Sequence, residues 1–361
     1  MQYAICNRLI PGKMDHLRFR SICSLWRSST LPLLKPPLPS LPTLPDPFYP
    51  KTRKKPYFVE KTVYLLQIQE DLWNLPLMKG FKRSFLIEVS KPLSGDKLRL
   101  ESLLSHAPLE NRAKSSQSRG SVLNLWNLRV IELCKVFYTP KRESGISALQ
   151  ISRAGRELAA MAIDDDMQLY HYKSGEKKWT KNDLCCDWHD IINYQGQFCA
   201  VDIEGRTLLF DSSSFAETEI SPPMVDNPSK FVSWKVLVES CGELFLVELY
   251  EKKTKVYRLN MEESAWIQVE NLGDRIFFIG KNCSFSLSAQ EFPGCKGNCV
   301  YFNRGEGKEY DERLRFWGPK TEVYDLETRR FGGITSFPEH LEIFWPPPKW
   351  LEHPSLLSLG Q

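Results

Sequence analysis

Short runs of apolar and aromatic residues alternate with polar turns throughout the stretch 231–302. One run is LFLVELY at 244–250, and further runs follow at 256–259 and 276–279. Each run is bounded by Gly, Asn, Asp or Lys, which is the pattern of antiparallel strands. An α-helix of ordinary length would be interrupted by this many turn residues. The stretch therefore predicts a series of short β-strands.

The same strand and turn pattern occurs more than once in the chain. Residues 169–179 (LYHYKSGEKKW) align without gaps on residues 256–266 (VYRLNMEESAW), and both combine an aromatic strand, a polar turn and a tryptophan. A third copy with a shorter turn lies at 322–331, and a weaker fourth lies at 208–215. These copies indicate a repeated supersecondary unit.

The spacing of the units points to a propeller. Units begin near residues 158, 198, 244 and 298, and roughly 40 to 54 residues separate them, which is the range of four-stranded propeller blades. A small twisted sheet cannot bury both of its faces alone, so several such sheets pack around one axis. We therefore predict a mainly β fold, a β-propeller of roughly six blades.

The propeller domain is predicted to span residues 57–351, with a tail at 352–361. Strands at 57–66 and 85–89 begin it, and a turn at 94–96 leads to a hairpin partner at 97–100. Residues 101–120 are rich in Ser, Lys and Arg and are expected to form a loop. The apolar residues of 122–138 suit either a helix or two strands, and we favour strands.

Two segments of different composition precede the predicted propeller. Within residues 1–30, the run 17–27 places Leu17, Ile22, Leu25 and Trp26 on one face of an amphipathic helix. Residues 31–56 are rich in proline and predict an extended spacer. The PxxP-like matches in this spacer could instead bind an SH3 domain. The basic cluster at 51–55 could be either a nuclear import signal or the solvated end of the linker.

Composition restricts the partners and the compartment of the protein. The formal charge of +4, from 48 basic and 44 acidic residues, is too small to indicate nucleic acid as a partner. No apolar run approaches the ~20 residues that cross a bilayer, and residues 1–11 lack a secretory signal. We expect no membrane partner and a location in the nucleus, the cytoplasm or both. In those compartments the 10 cysteines are expected to be reduced thiols.

The chain offers weak candidates for a metal site or a catalytic site. Cys295 and Cys299 resemble a metal knuckle, but the next possible ligands, Cys185, Cys186 and His189, are distant and wrongly spaced. We predict no metal and no cofactor.

No phosphate-binding loop or nucleophile motif is present in the sequence, and we predict no catalytic residues and no enzyme activity. Residues 164–166 are three aspartates that could bind Ca²⁺, although a hairpin turn is the preferred interpretation. Asp187, His189 and Asp190 could form an acid–base site or a polar loop between blades, and we favour the loop. Cys241–Gly242 and Gly294 indicate tight turns, with a pocket-lining loop as the alternative.

The helix at 17–29 (LRFRSICSLWRSS) resembles the second half of an F-box, and 5–9 (ICNRL) resembles the end of the preceding F-box helix. The Trp-x-x-Leu-Pro opening of that motif does not precede it. A truncated F-box and a start codon assigned too late both explain this. Much of the remainder resembles the C-terminal, kelch-like β-propeller domain of plant F-box proteins, often catalogued only as a domain of unknown function. The matching segments include 200–205, 237–247, 272–280, 291–302 and 345–351.

The resemblance implies a substrate-recognition adaptor of a Skp1–cullin–F-box ubiquitin ligase, with a protein substrate presented on the propeller. The residues that it implies for contact with the Skp1-type adaptor are Leu17, Phe19, Cys23, Trp26 and Arg27. The substrate and the residues that bind it are not identified by the sequence. The alternative is a propeller that binds proteins without engaging the ligase, because its F-box is incomplete.

Overall fold

The computed structural model describes residues 59–70, 74, 83–92, 99–102, 128–138, 146–154, 157–224, 233–250, 253–280, 283–292, 296–311 and 316–337. The described residues form five β-sheets and two short 3₁₀ helices, Ala289–Glu291 and Ile334–Ser336. The predicted helical segment 1–30, the proline-rich linker 31–56 and the tail 352–361 lie outside them. No helix among the described residues is long and apolar enough to cross a membrane.

Each sheet is one blade, and the first two blades contain four strands each. Blade 1 has the spatial order β3-β2-β1-β4, whereas blade 2 has the order β5-β6-β7-β8. Blade 1 consists of β1 (Val59–Ile68), β2 (Ser84–Pro92), β3 (Arg99–Ser102) and β4 (Leu128–Tyr138). Blade 2 consists of β5 (Ile146–Ala154), β6 (Glu157–Asp164), β7 (Leu169–Lys173) and β8 (Thr180–Lys181).

Blades 3 and 4 repeat the arrangement of blade 2, with the strands in chain order across the sheet. Blade 3 consists of β9 (Trp188–Tyr194), β10 (Gln197–Asp202), β11 (Thr207–Phe210) and β12 (Glu217–Ser221). Blade 4 consists of β13 (Trp234–Ser240), β14 (Glu243–Leu249), β15 (Thr254–Asn260) and β16 (Ala265–Val269).

Blade 5 has five strands in the order β18-β17-β19-β20-β21, and its β17 and β19 run parallel. The strands are β17 (Arg275–Gly280), β18 (Cys283–Ser288), β19 (Cys299–Asp311), β20 (Phe316–Asp325) and β21 (Arg330–Gly333). One strand at the inner end of each sheet packs against its counterparts in the two neighbouring blades, in the cyclic order β4, β5, β9, β13, β18 and back to β4. The five blades therefore close into a ring.

The continuous apolar runs of the sequence arise because both faces of a blade are buried. In blade 4, Leu237 and Leu246 pack into a core shared with blade 3, whereas Val236 and Val238 pack into a core shared with blade 5. Successive side chains of a strand point to opposite faces. A central strand with a core on each side therefore has little solvent-facing surface, and simple alternation of polar and apolar residues is lost.

The predicted repeats occupy corresponding places in the ring. Residues 169–173 and 256–259 lie in the third strands of blades 2 and 4, and the weaker copy at 208–215 begins in the third strand of blade 3. The copy at 322–331 begins in β20, which is the fourth strand of its blade because blade 5 has an additional strand. The β-propeller prediction is confirmed.

The predicted number of roughly six blades is wrong, because the described residues form five. The estimate divided the domain length by an average blade length, but the blades differ in length. The 102–128 interval separates β3 from β4 without contributing a described strand, and blade 5 contains a fifth strand. Residues 128–138 form a single strand, so the strand interpretation of 122–138 is confirmed over that range. The hairpin at 85–100 is also confirmed, with Val89 opposite Leu100.

Candidate binding face around Trp234

The innermost strand of each blade presents one edge to the axis of the ring, where its backbone groups have no further strand to pair with. Blade 3 satisfies several of these groups with side chains of β9. The backbone N–H groups of Lys235 and Leu237 donate to His189 Nδ1 at 3.2 Å and to Asp190 Oδ2 at 2.8 Å. On the other side, Asn193 Nδ2 donates to the Ile151 carbonyl at 3.3 Å. Buried backbone groups need such partners, so β9 connects both neighbouring blades.

These contacts show what Asp187, His189 and Asp190 do in the folded protein. His189 and Asp190 each accept from the backbone of β13, and Asp187 is exposed just before β9. The predicted polar loop is therefore wrong for His189 and Asp190, because both lie in the strand β9. Their bonds to the β13 backbone make them polar links between blades 3 and 4. Residues 164–166 begin the turn between β6 and β7, in which Asp164 accepts from the Gln168 backbone. Cys241 and Gly242 form the β13–β14 turn, and both have positive φ.

Trp234 is the most distinctive surface residue of this region. It is the first residue of β13 and its side chain is 44% exposed, although large apolar side chains at the ends of inner strands are usually covered. Its indole ring stacks on the His189 imidazole with the ring centroids 4.6 Å apart and the planes 15° from parallel. The stacking holds an exposed tryptophan in one orientation at the junction of blades 3 and 4.

A buried ion pair begins at the residue that follows Trp234. Lys235 Nζ is 3.1 Å from Glu248 Oε1, and both side chains are essentially inaccessible to solvent. Ser233 and Tyr257 donate hydroxyl hydrogen bonds to the same carboxylate, at 2.9 and 3.2 Å. A buried charge pair is tolerated only when further hydrogen bonds satisfy it, and here they do. The group anchors β13 to β14 and β15 and makes the base of the Trp234 face rigid.

Burial and neighbouring charge set the protonation states at this junction. Burial and the Lys235 charge lower the pKa of His189 to about 4, so the imidazole is neutral at physiological pH and Nδ1 can accept its hydrogen bond. Burial raises the pKa of Asp190 to about 6, against the two backbone hydrogen bonds that favour the charged form. Burial alone would raise the pKa of Glu248. A hydrogen bond from Tyr250 and the positive charge of Lys235 outweigh burial, so the pKa of Glu248 is lowered.

We call the exposed indole of Trp234, together with the buried His189 ring on which it stacks, the Trp234 face. Its chemistry is that of a contact surface: an exposed aromatic side chain held against a neutral imidazole. Among the described residues, no group of three or more His, Cys, Asp or Glu side chains could hold a metal ion. Cys299 is buried with its thiol donating to the Gly297 carbonyl, while Cys295 lies outside the described part of the chain.

The adaptor-contact residues expected from the resemblance all lie outside the described residues: Leu17, Phe19, Cys23, Trp26 and Arg27. Their role stays a prediction. The Trp234 face was not foreseen from the sequence, since Trp234 begins an apolar run that resembles the other inner strands. The nearest signal was the pair His189 and Asp190, which were predicted as part of a polar loop but lie in the strand β9.

Comparison with known proteins identifies relatives of the whole fold. Residues 74–325 match the family described as KIB1-4 beta-propeller. F-box protein SKIP23 of Arabidopsis thaliana is 28% identical over 96% of this chain and 93% of its own length. F-box protein At2g17036 of the same plant is 28% identical over 96% of this chain and 92% of its own length. An F-box/kelch-repeat protein of that plant is 23% identical over 95% of this chain and 94% of its own length.

Proposed function

Because this chain belongs to the KIB1-4 beta-propeller family, we propose that it is the substrate-recognition subunit of a Skp1–cullin–F-box ubiquitin ligase. The names of its relatives, which align along nearly their full length, support an F-box protein. In this proposal the chain performs no chemistry itself. It binds a protein substrate and an adaptor together, which raises the effective concentration of the substrate near the ligase.

The observation that carries the substrate-binding half of the proposal is the immobilised, exposed Trp234. Tryptophan is enriched among the few residues that dominate protein interfaces, and it contributes most when little conformational freedom is lost on binding. Stacking on His189 at 4.6 Å fixes the ring before any partner arrives. The buried Lys235–Glu248 pair fixes the strand that carries it. We propose that a protein substrate contacts this face.

The adaptor-binding half of the proposal is placed in the N-terminal segment. Leu17, Phe19, Cys23, Trp26 and Arg27 are its proposed contacts with a Skp1-type protein, by resemblance to the F-box. The two binding functions then belong to separate parts of the chain. We propose a location in the nucleus or the cytoplasm, which is consistent with the described cysteines being free thiols.

Two variants with two readouts test this division. Adaptor binding is measured by capture of a purified Skp1-type protein on the immobilised full chain, and substrate binding by quantitative crosslinking of partners in a plant extract. Trp26→Ala should weaken adaptor capture at least tenfold and leave the partner set unchanged. Trp234→Ala should leave adaptor capture unchanged and deplete a subset of partners at least tenfold, since interface tryptophans commonly contribute ~2 kcal/mol or more.

The control is Met261→Ala, which removes a 55% exposed apolar side chain from the β15–β16 turn. It should affect neither readout. If the wild-type chain does not capture the adaptor, the ligase assignment is wrong and the chain is a propeller binding module that does not engage the ligase. If Trp234→Ala and Met261→Ala leave the same partners bound, the substrate site lies elsewhere on the ring.

A further inference from the structure

The contact between blade 1 and blade 5 closes the ring, and it brings together two cysteines that are far apart in the sequence. Cys134 lies in β4 and Cys283 begins β18, and these are the innermost strands of the two blades. The thiol of Cys283 donates to the sulfur of Cys134 at 3.0 Å, across a separation of 149 residues. Both side chains are partly buried beside the largest apolar core of the closing blades.

Local backbone features direct each sulfur toward the other. In β4, Cys134 pairs with Val63 while Glu132 pairs with Tyr64, so Leu133 is the extra residue of a β-bulge. A bulge changes the direction of the next side chain, here Cys134. In blade 5, Gly280 faces Cys283 across the β17–β18 turn, and a Cβ at Gly280 would lie 3.2 Å from the Cys283 carbonyl oxygen. A glycine at this position allows β18 to begin close to β17.

We propose that Cys134 and Cys283 are a site of reversible oxidation, at which a disulfide joins the first and last blades of the propeller. The sulfur atoms are 3.0 Å apart, and a disulfide requires about 2.05 Å, so a small movement of the two strands is sufficient. Such movement is feasible because blades 1 and 5 meet through side chains, without a shared backbone ladder among the described strands. In the reducing cytosol or nucleus the resting form is the dithiol.

The oxidant is hydrogen peroxide or another peroxide, and the reaction proceeds in two balanced steps. The thiolate of Cys134 attacks one peroxide oxygen, the O–O bond breaks, and a sulfenic acid and hydroxide form. The sulfur of Cys283 then attacks the sulfenic sulfur. Its thiol proton leaves with the hydroxyl group as water, and the S–S bond forms. The hydroxide of the first step takes up the proton that Cys134 lost when its thiolate formed, so overall two thiols are oxidised by two electrons and one peroxide is reduced to two waters.

The environment orders the two thiols in this sequence. The hydrogen bond to Cys134, together with burial, raises the pKa of Cys283, and in the contact Cys283 is the donor and Cys134 the acceptor. The Lys61–Glu88 ion pair, at 2.7 Å, lies in the adjoining strands of blade 1, and both charges act on Cys283. The opposite charges of Lys61 and Glu88 have opposing effects on that thiol.

A bond at this position would act on the whole ring. It would enclose the chain from β4 to β18, which contains blades 2, 3 and 4, and a cross-link over so long a loop removes much of the freedom of the unfolded chain. The oxidised protein is therefore expected to unfold at a temperature higher by roughly 5 °C and to be cleaved more slowly by proteases at the blade 1–blade 5 contact.

The test begins with the full-length wild-type protein, fully reduced and then freed of reductant. It is treated with hydrogen peroxide, its remaining thiols are alkylated, and it is digested and analysed by mass spectrometry without reduction. A cross-linked peptide pair containing Cys134 and Cys283, lost on treatment with dithiothreitol, is the expected result. Alkylation of both residues after peroxide treatment, or a disulfide that joins either one to another cysteine instead, would overturn the proposal.

Three variants provide the matched measurement of stability. Cys134→Ser and Cys283→Ser should lose the peroxide-induced rise in unfolding temperature, whereas Cys241→Ser, at an exposed turn, should retain it. If either substitution impairs folding, the peptide mapping of the wild type still decides the proposal. A thermal shift that persists in Cys283→Ser would show that another site is responsible.

Discussion

Two contacts between blades show opposite ways of holding a propeller together. Blades 3 and 4, which are consecutive in the chain, share an apolar core and are also joined by polar bonds, in which His189 and Asp190 of β9 accept from the β13 backbone. The buried Lys235–Glu248 pair lies within blade 4, and Lys235 donates one of those backbone bonds. Blades 1 and 5, which come from opposite ends of the domain, meet through an apolar core. In that core Phe278 stacks between Phe285 and Tyr301, each 4.9 Å away.

The difference reflects the entropy of bringing the two partners together. A short connection already holds blades 3 and 4 close, so polar groups with exacting geometry can meet reliably. Blades 1 and 5 are brought together only after a long loop closes, which costs conformational entropy. Apolar burial is strong and tolerant of direction, so it suits that contact. Among the described residues, the polar bonds that cross it include those of Gln67 and Ser84, which both donate to Glu291, Ser84 at 2.7 Å.

The largest expected effect is at the buried ion pair of blade 4, beside the polar contact with blade 3. Glu248→Ala removes the only carboxylate that Lys235 Nζ bonds among the described residues and leaves that ammonium buried. We expect a loss of about 3–5 kcal/mol in the free energy of unfolding, measured by urea denaturation. The double variant Lys235→Met with Glu248→Leu should recover most of this loss, because it removes both charges. Equal instability in the single and double variants would show that packing, not charge, dominates.

The control for this prediction is an exposed pair. Arg329 Nη2 is 3.0 Å from Glu270 Oε2, and both side chains are largely in solvent. Arg329→Ala should change the free energy of unfolding by less than about 1 kcal/mol. A loss comparable to that of Glu248→Ala would mean that burial is not what distinguishes the Lys235–Glu248 pair.

An intermediate effect is expected in the pH dependence of stability. The folded-state pKa of Asp190, about 6, is above its ordinary value near 4. The folded protein therefore binds this proton more tightly than the unfolded chain, and the resulting stabilisation is lost as the pH rises from 4 to 6. His189 has the opposite effect: its folded-state pKa of about 4 makes stability increase as the pH rises from 4 toward 6.5. The neighbouring charges that act on His189 are Lys235 and Glu248.

Substitution of Asp190 should therefore leave the pH dependence of stability that comes from His189. Relative to the wild type, Asp190→Asn is expected to gain about 2–3 kcal/mol of stability between pH 4 and pH 6, measured by urea denaturation at several pH values. Asp187→Asn, which removes an exposed acid just before β9, serves as the control and should follow the wild-type profile. Parallel profiles for the wild type and Asp190→Asn would refute the assignment.

The smallest effect is expected at the polar edge of the closing contact. Glu291→Ala removes the carboxylate that accepts from Gln67 but leaves the backbone carbonyl that accepts from Ser84. The free energy of unfolding should fall by about 1 kcal/mol, because the apolar core carries this contact. Glu263→Ala, at the exposed β15–β16 turn, should stay within about 0.5 kcal/mol of the wild type. A loss above 3 kcal/mol in Glu291→Ala would show that polar bonds dominate both contacts.

The candidate site was much less predictable than the fold. Lys235 and Glu248 stand in strands where alternation would place charged side chains in solvent, yet their side chains are 0% and 1% exposed. Alternation assumes a sheet with one wet face, and a blade has neither face in water. Trp234 departs from the pattern in the opposite direction, because a large apolar residue of a strand would be expected in the core and is 44% exposed. Which positions are covered depends on the neighbouring blade.

Local sequence alone determined the strands, the turns and the repetition of one unit, because those depend on residues a few positions apart. This is why 169–179 and 256–266 were placed correctly as equivalent segments. The resemblance of the chain also led to the right family. Only the tertiary structure decided the number of blades, the position of β4 as the innermost strand of blade 1 and the contact between Cys134 and Cys283. These three features depend on contacts between segments that are far apart in the sequence. The packing of the whole ring determines which distant segments meet, and no local sequence pattern contains that information.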